Sequence, residues 1–347
     1  MPIFSKPPRN KKILFLNCKI LFALLLFLAL SHGHTKEKPT IKNVESIAPS
    51  YYDDLFEVYK FRSQQGNLEA INNLGAMYLK GLGVSRDETK ALEYFLMASK
   101  SKFPPAMYHL GLIYYKGLGV DKNLKKAQHW FERAAITGDR EAQFFLGLIF
   151  ATEKDHPKNI SESLKWFEAA AKNGMPAAQY NLAILRKKNN QAKEFDQTSL
   201  FWLKTASQKL HFESIFALFE FYSLERNRKH ELRSTMNKLQ TLAEQGHDRA
   251  QRLLGMTYFL GRGVERNLQE GEFWMREAAS AGLESAKNDL ERIYSHPDFS
   301  ESDFKELIEF SLPNNLSNHH QLLVKDKENI SGKISYDSLK KEQNYAQ

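Results

Sequence analysis

Residues that could do chemistry are scattered along this chain in patterns that do not assemble a reaction centre. Ser99-Lys100-Ser101-Lys102 satisfies Ser-x-x-Lys, the nucleophile motif of penicillin-interacting enzymes, but no Ser-Asp-Asn or Lys-Thr-Gly accompanies it. It also falls in register with Ala135-Ile136-Thr137-Gly138, which marks it as a turn between structural units. Gly-x-Gly pairs at 81/83, 117/119 and 261/263 follow helical segments instead of opening a helix after a strand, so they read as turns and not as phosphate cradles. There is no P-loop, His-Glu-x-x-His or EF-hand loop. The eleven histidines show no ligand spacing on one helix face; His32 and His34, one residue apart, and the adjacent His319 and His320 lie outside the patterned region, and His109 and His129 are single. The expectation is a protein without catalytic residues, cofactor or metal.

A different chemistry is suggested by Tyr108, Phe144, Tyr180 and Phe216, aromatic residues 36 apart in four consecutive units. On a helix they project about 160° from the centre of the apolar stripe defined below, at 100° per residue. Exposed aromatics in a row imply something that covers them. Flanking positions add Leu112, Tyr115, Leu148, Ile184, Met256 and Phe259, bordered by Lys187, Glu220 and Arg252. Two readings stand: contacts between successive helices, or a groove ladder for an extended or helical peptide, with Tyr108, Phe144, Tyr180, Phe216, Tyr115, Ile184 and Arg252 as the partner-binding set.

The elements that position these residues follow from a 36-residue period. Ala70, Ala106, Ala142, Ala178, Ser214, Ala250 and Ala286 keep that spacing, and Leu74, Leu110, Leu146, Leu182, Leu218, Leu254 and Leu290 follow each by four. Ala106, Leu110 and Tyr114 make one stripe of a first helix; Gly117 and Gly119 reverse the chain. A second helix presents Ala127, Trp130, Phe131, Ala134 and Ala135, and Gly138 stops it. Gly111 lies beside the stripe, where a missing side chain admits the second helix closely. Neither helix can bury its face alone, so neighbours must stack. Trp130, Trp166, Trp202 and Trp274 recur in one slot and are expected in the core.

The series Ala, Leu-Gly, Tyr, Gly-x-Gly-Val, Lys-Ala, Trp, Ala-Ala and Gly resembles the Sel1-like repeat family, relatives of the tetratricopeptide repeats. "NLGAMYLKGLGV", "HLGLIYYKGLGV" and "LLGMTYFLGRGV" carry the resemblance, which covers about residues 50 to 312. It implies an all-α fold, a right-handed α-solenoid of about seven helix-turn-helix repeats that binds other proteins. Units would start near 66, 102, 138, 174, 210, 246 and 282, after a linker at 34–50 and before a flexible tail at 313–347, with Phe310 at the tryptophan register of a shortened last unit closed by Pro313. The pattern weakens in the middle: "ATEKDHPKNI" and "RKKNNQAKEF" replace glycine turns, Ala183 takes the Leu-Gly slot, and Phe219 and Lys238 together read as a compensating volume swap.

A formal charge of +8 over 347 residues invites a nucleic-acid reading. Lys6, Arg9, Lys11, Lys12 and Lys19 account for five of those charges and leave +3 for the rest, an ordinary solvated surface. They belong to a basic segment before the apolar run Ile20 to Leu30, which reads as a cleaved export signal occupying residues 1–33, with periplasmic or secreted localisation. Taken from Ile13 to Leu30 the run reaches 18 residues, and an uncleaved membrane anchor is the alternative. Cys18, the only cysteine, lies inside it, so the rest of the chain has no thiol. The functional expectation is a monomeric, non-enzymatic adaptor for protein partners, without nucleic acid and meeting the membrane only through that segment. A cell-wall or β-lactam-acting hydrolase, as proposed for cysteine-rich relatives, and an anchored structural spacer are the alternatives.

Overall fold

The computed structural model describes residues 48–152, 159–190, 192, 194–225 and 227–295. The leader, Phe310, Pro313 and the tail lie outside them. The chain divides into two compact units at Asp54/Leu55, and the second, Leu55–Gln347, holds the repeat array. Of the first unit, the described residues are the opening turns of helix α1.

Fourteen helices and no strand occur among the described residues: α1 Ala48–Gln64, α2 Leu68–Lys80, α3 Glu88–Lys100, α4 Pro104–Lys116, α5 Leu124–Ala135, α6 Arg140–Thr152, α7 Ile160–Lys172, α8 Pro176–Asn189, α9 Gln197–Gln208, α10 Phe212–Leu224, α11 Lys229–Glu244, α12 Asp248–Leu260, α13 Leu268–Ser280 and α14 Glu284–Ser295. From α2 onward each packs chiefly on its neighbours in sequence, as stacked helix pairs require. Even-numbered helices from α2 are the first helices of each unit, and odd-numbered ones from α3 the second.

Two turns recur. After a first helix, Gly117 adopts φ 70° and its N–H bonds the Ile113 carbonyl, while Leu118 N–H shares that acceptor. The loop then closes when Asn123 N–H donates to Tyr114 O at 2.8 Å, and the Asn123 side chain caps α5 through Lys126 N–H. Asp87, Asn159 and Asn267 do the same at the equivalent positions, so the closing bond and the cap are kept at Asn159 although the sequence before it has lost the glycines. Between units, the residues at 66, 102, 138, 174, 210, 246 and 282 all have positive φ. Five are glycine, whereas Lys102 (58°) and Leu210 (55°) hold a left-handed conformation that costs an L-residue about 1–2 kcal/mol. Lys102 is exposed, so Lys102→Gly removes strain and no packing. It is expected to raise stability by about 0.5–1 kcal/mol after allowing for the added freedom of the unfolded chain, read as a higher urea midpoint.

Within each unit the two helices meet at one close contact. A Cβ built on Gly111 would lie 2.5 Å from the Phe131 ring, on Gly147 2.5 Å from Phe167, on Gly75 2.8 Å from Phe95, and on Gly255 2.6 Å from Met275. The second-helix partner series is therefore Phe95, Phe131, Phe167, Leu203, Leu239 and Met275, each completely shielded from solvent. This corrects the expectation for the tryptophans. Trp130, Trp166, Trp202 and Trp274 stand one residue earlier, rotated out of the contact and only partly buried. Arg133 lies 4.8 Å from the Trp130 ring centroid and Lys165 5.4 Å from that of Trp166. The volume swap of the fifth unit is corrected in the same way: bulky Phe219 is accommodated by Leu239 in place of phenylalanine, while Lys238 turns its Nζ to the Ser207 hydroxyl at 2.9 Å.

Candidate functional site

Ser99 and Lys102 do not form a nucleophile pair. The buried Ser99 hydroxyl donates to Leu96 O at 2.8 Å, and Lys102 sits exposed on the inter-unit turn. His109 is packed 4.6 Å from the Phe95 ring and meets the Asn72 amide oxygen through Nδ1 at 3.1 Å. Burial pushes its pKa down to about 4, so it is a neutral core histidine. His129 is exposed beside Trp130. Among the described residues no cluster of histidine, cysteine or carboxylate side chains could hold a metal ion.

The aromatic row is covered by the protein itself. Tyr108 is 6% exposed, Phe144 2%, Tyr180 6% and Phe216 6%, so the premise of an exposed ladder is corrected. Burial drives the Tyr108 and Tyr180 hydroxyls well above the ordinary phenol range. The burial has two sources: Tyr108 and Phe144 lie 6.1 and 5.7 Å from Phe131 and Phe167 on the second helices of their own units, and successive first helices meet along a seam in which Asn72, Tyr108 and Arg252 each face the residue 37 further on. Asn72 bonds His109, the Tyr108 ring lies 6.1 Å from Phe145, and Arg252 Nε donates to the Asp289 carboxylate. Arg252 is thus held in an ion pair, and Tyr115 is buried 5.3 Å from the Phe145 ring. Ile184 is partly buried against the cluster around Leu203 and Tyr222. Angular distance from the Ala-Leu-Tyr stripe did not mean exposure, because a stacked helix needs two apolar faces: one for its own partner and one for the next unit.

A second seam was missed altogether. Gln143, Gln179 and Gln251 follow the repeat alanine by one residue, and each Nε2 donates at 3.1 Å to the carbonyl of Ala135, Ala171 or Ala243 at the end of the preceding second helix. These buried amides satisfy helix-terminal acceptors that would otherwise be orphaned. The 36-residue recurrence of glutamine was visible in the sequence, but a polar residue there reads as solvent-facing without the neighbouring unit in place.

An accessible hollow of about 490 Å³ lies between α3 and α5, lined by Leu96, Met97, Trp130 and Arg133, and a larger one lies where the fifth unit departs from the pattern. α11 begins three residues earlier in the repeat register than α5, α7 and α13, and the short link Glu225–Arg228 replaces the glycine loop. The additional turn helps to wall a hollow of about 660 Å³ between α10, α11, α12 and the next glycine loop. Leu232, Met236, Leu254, Tyr258 and Val264 give it an apolar lining. Lys229 and Arg233, one turn apart on α11, stand on its rim with Glu225 and Glu265. The Tyr222 hydroxyl on its wall is buried and has no hydrogen-bond partner. A volume of this order suits one or two large side chains or a small ligand.

With this geometry in view, a family model described as "Sel1 repeat" matches residues 68–102, 104–139, 140–175 and 248–283. The chain carries four Sel1 repeats. The four matches end or begin at the positive-φ turns or within two residues of them, and the unmatched stretch 176–247 contains Ala183, Phe219 and the glycine-free segment RKKNNQAKEF, whereas the repeat 140–175 is matched despite its own lost glycines. Among solved structures the Sel1 array is similar to a protective antigen present in uropathogenic Escherichia coli strains displaying an SLR fold, at 27% identity and TM-score 0.61, over 81% of this chain and 60% of that one. It is also similar in fold to a Sel1 repeat protein from Oxalobacter formigenes, at 24% identity and TM-score 0.56, over 69% of this chain and 95% of that one. The chain therefore spans about 60% of the length of the E. coli protein. No curated protein matches. Sel1 repeats generally act as protein-interaction scaffolds.

Proposed function

We propose that the protein is an exported, non-enzymatic adaptor that holds a protein partner at the hollow between its fifth and sixth Sel1 units. The observation that carries this is the combination of an accessible hollow of about 660 Å³, apolar inside, with a charged rim of Lys229, Arg233, Glu225 and Glu265, in an array whose first-helix seam is filled by its own side chains. The occupant fitted to it is a partner segment that inserts a large apolar side chain over Leu232, Met236 and Tyr258. Lys229 and Arg233 on one side and Glu225 and Glu265 on the other would orient the flanking charges. Export and periplasmic or secreted localisation rest on the basic and apolar segment at residues 1–33. Among the described residues no helix is long and apolar enough to cross a membrane.

Asn237 is exposed on α11 at the mouth of the hollow, so Asn237→Trp should obstruct entry without disturbing the core. The expected result is an unchanged melt by circular dichroism and at least a tenfold loss of partner capture in crosslinking pull-downs, since an anchor residue commonly contributes about 2 kcal/mol or more. Unchanged capture would move the binding surface elsewhere on the array. The self-covered aromatic row favours a second reading, a structural spacer without a partner in its groove. That reading is supported if neither the parent protein nor the variant captures anything.

A further inference from the structure

The first helices of the array are capped by different chemistries. Asn67 caps α2 through Ala70 N–H at 2.8 Å, Asp139 caps α6 through Ala142 N–H at 2.7 Å, and Phe103 and Met175 supply no side-chain cap to α4 and α8. α10 and α12 are capped by histidines: His211 Nδ1 accepts from Ser214 N–H at 3.3 Å, and His247 Nδ1 accepts from Ala250 N–H at 3.2 Å. Only a neutral imidazole can accept at Nδ1, because both ring nitrogens of the imidazolium are donors. The imidazolium would also set a positive charge at the positive end of the helix dipole.

We propose that His211 and His247 make the fifth and sixth units an acid-sensitive joint, in which protonation strips the caps from α10 and α12 together. The two caps belong to one cluster. His211 Nε2 faces Glu213 at 3.5 Å, which places the ring proton on Nε2 and leaves Nδ1 to accept. Glu213 also receives Arg249 at 2.8 Å, and Arg249 lies 4.6 Å from the Phe212 ring centroid. The opposite side of Phe212's surroundings is His247, stacked on it at 4.8 Å, with Asp248 3.9 Å from Nδ1. From the fourth unit, Tyr180 lies 5.7 Å from His211. The carboxylates of Glu213 and Asp248 favour imidazolium, whereas burial and Arg249 oppose it at His247.

Burial is the larger influence there and holds the His247 pKa below its ordinary value. A group with a lowered folded-state pKa binds fewer protons folded than unfolded. For a histidine the stability it contributes is complete above about pH 6.5 and declines as the pH falls toward the folded pKa. Asp139 changes in the opposite direction: burial raises its pKa to about 6, so its contribution is complete at low pH and declines as pH rises through that value. Opposing titrations in one array blur a global melt, and the joint must be read amide by amide. The helices concerned also wall the hollow, so if that hollow is the docking place, acid releases the partner; this clause rests on the proposed function, whereas the exchange test below does not.

The test is native-state hydrogen exchange of the full chain at pH 7 and pH 5, with protection factors corrected for intrinsic rates. Ser214 and Ala250 N–H are expected to lose about fivefold in protection at pH 5, the equivalent of one cap, while Ala70 N–H, capped by non-titrating Asn67, keeps its protection. In His211→Asn/His247→Asn, asparagine caps without titrating, and the loss at Ser214 and Ala250 should vanish with the pH 7 helix signal retained. Equal losses at Ala70, or losses that persist in the asparagine variant, would overturn the joint.

Discussion

Phe167→Ala should destabilise the array by about 3–5 kcal/mol, measured by urea unfolding, because it empties a completely buried slot pressed against the backbone of Gly147. Trp166→Ala should cost visibly less, since the indole is half-buried and shares its face with Lys165. The slot also predicts a coupling. Gly147→Ala alone forces a Cβ to within 2.5 Å of the Phe167 ring, an overpacking of about 1–3 kcal/mol. Phe167→Leu alone leaves a void. Together they should cost less than their sum, because the fourth unit already pairs Ala183 with Leu203 and the fifth pairs Phe219 with Leu239. Strict additivity would show that these residues are not opposed.

Asp289→Ala should cost a similar amount, about 3–5 kcal/mol, although the residue lies in the last described helix. Its side chain is 2% exposed and that of its partner Arg252 14%, so truncation leaves a guanidinium shielded from water beside a hole. The loss arises from the stranded charge, which is why Arg252→Met/Asp289→Leu should recover much of it. Thermal and urea unfolding of the single and double variants check this. A single variant within about 0.5 kcal/mol of the parent would mean that the pair is solvated in solution.

The period, the helix pairs and the turns were legible because they depend on local chemistry: glycine at positive φ, alanine and leucine four apart, and a break every 36 residues. Asp87, Asn123, Asn159 and Asn267 are equally local and equally periodic, but a short polar residue in a polar loop does not stand out as a cap until the start of the following helix is fixed. The tryptophan slot was assigned to the core because indole is large, yet the residue after it faces the glycine; one position is 100° on a helix, which hydrophobicity alone does not resolve. For Tyr108, Phe144, Tyr180 and Phe216 the sequence allowed contacts between helices or an exposed ladder, and burial favours the first. Their burial depends on the partner helix and the neighbouring unit, and a single-helix projection contains neither. The hollow at α11 was heralded by the lost glycine loop near residue 226, but only three dimensions show that an added helical turn opens space instead of filling it.

The central claim is that a protein partner docks between the fifth and sixth Sel1 units. It is tested most directly by placing a photo-crosslinking benzoylphenylalanine at exposed position 233, on the rim of the hollow, and at exposed position 165 on α7, in the living source cell. The account predicts a discrete adduct from position 233 that disappears in the Asn237→Trp background, and none from position 165. An adduct from 165 alone, or one from 233 that survives Asn237→Trp, would contradict it.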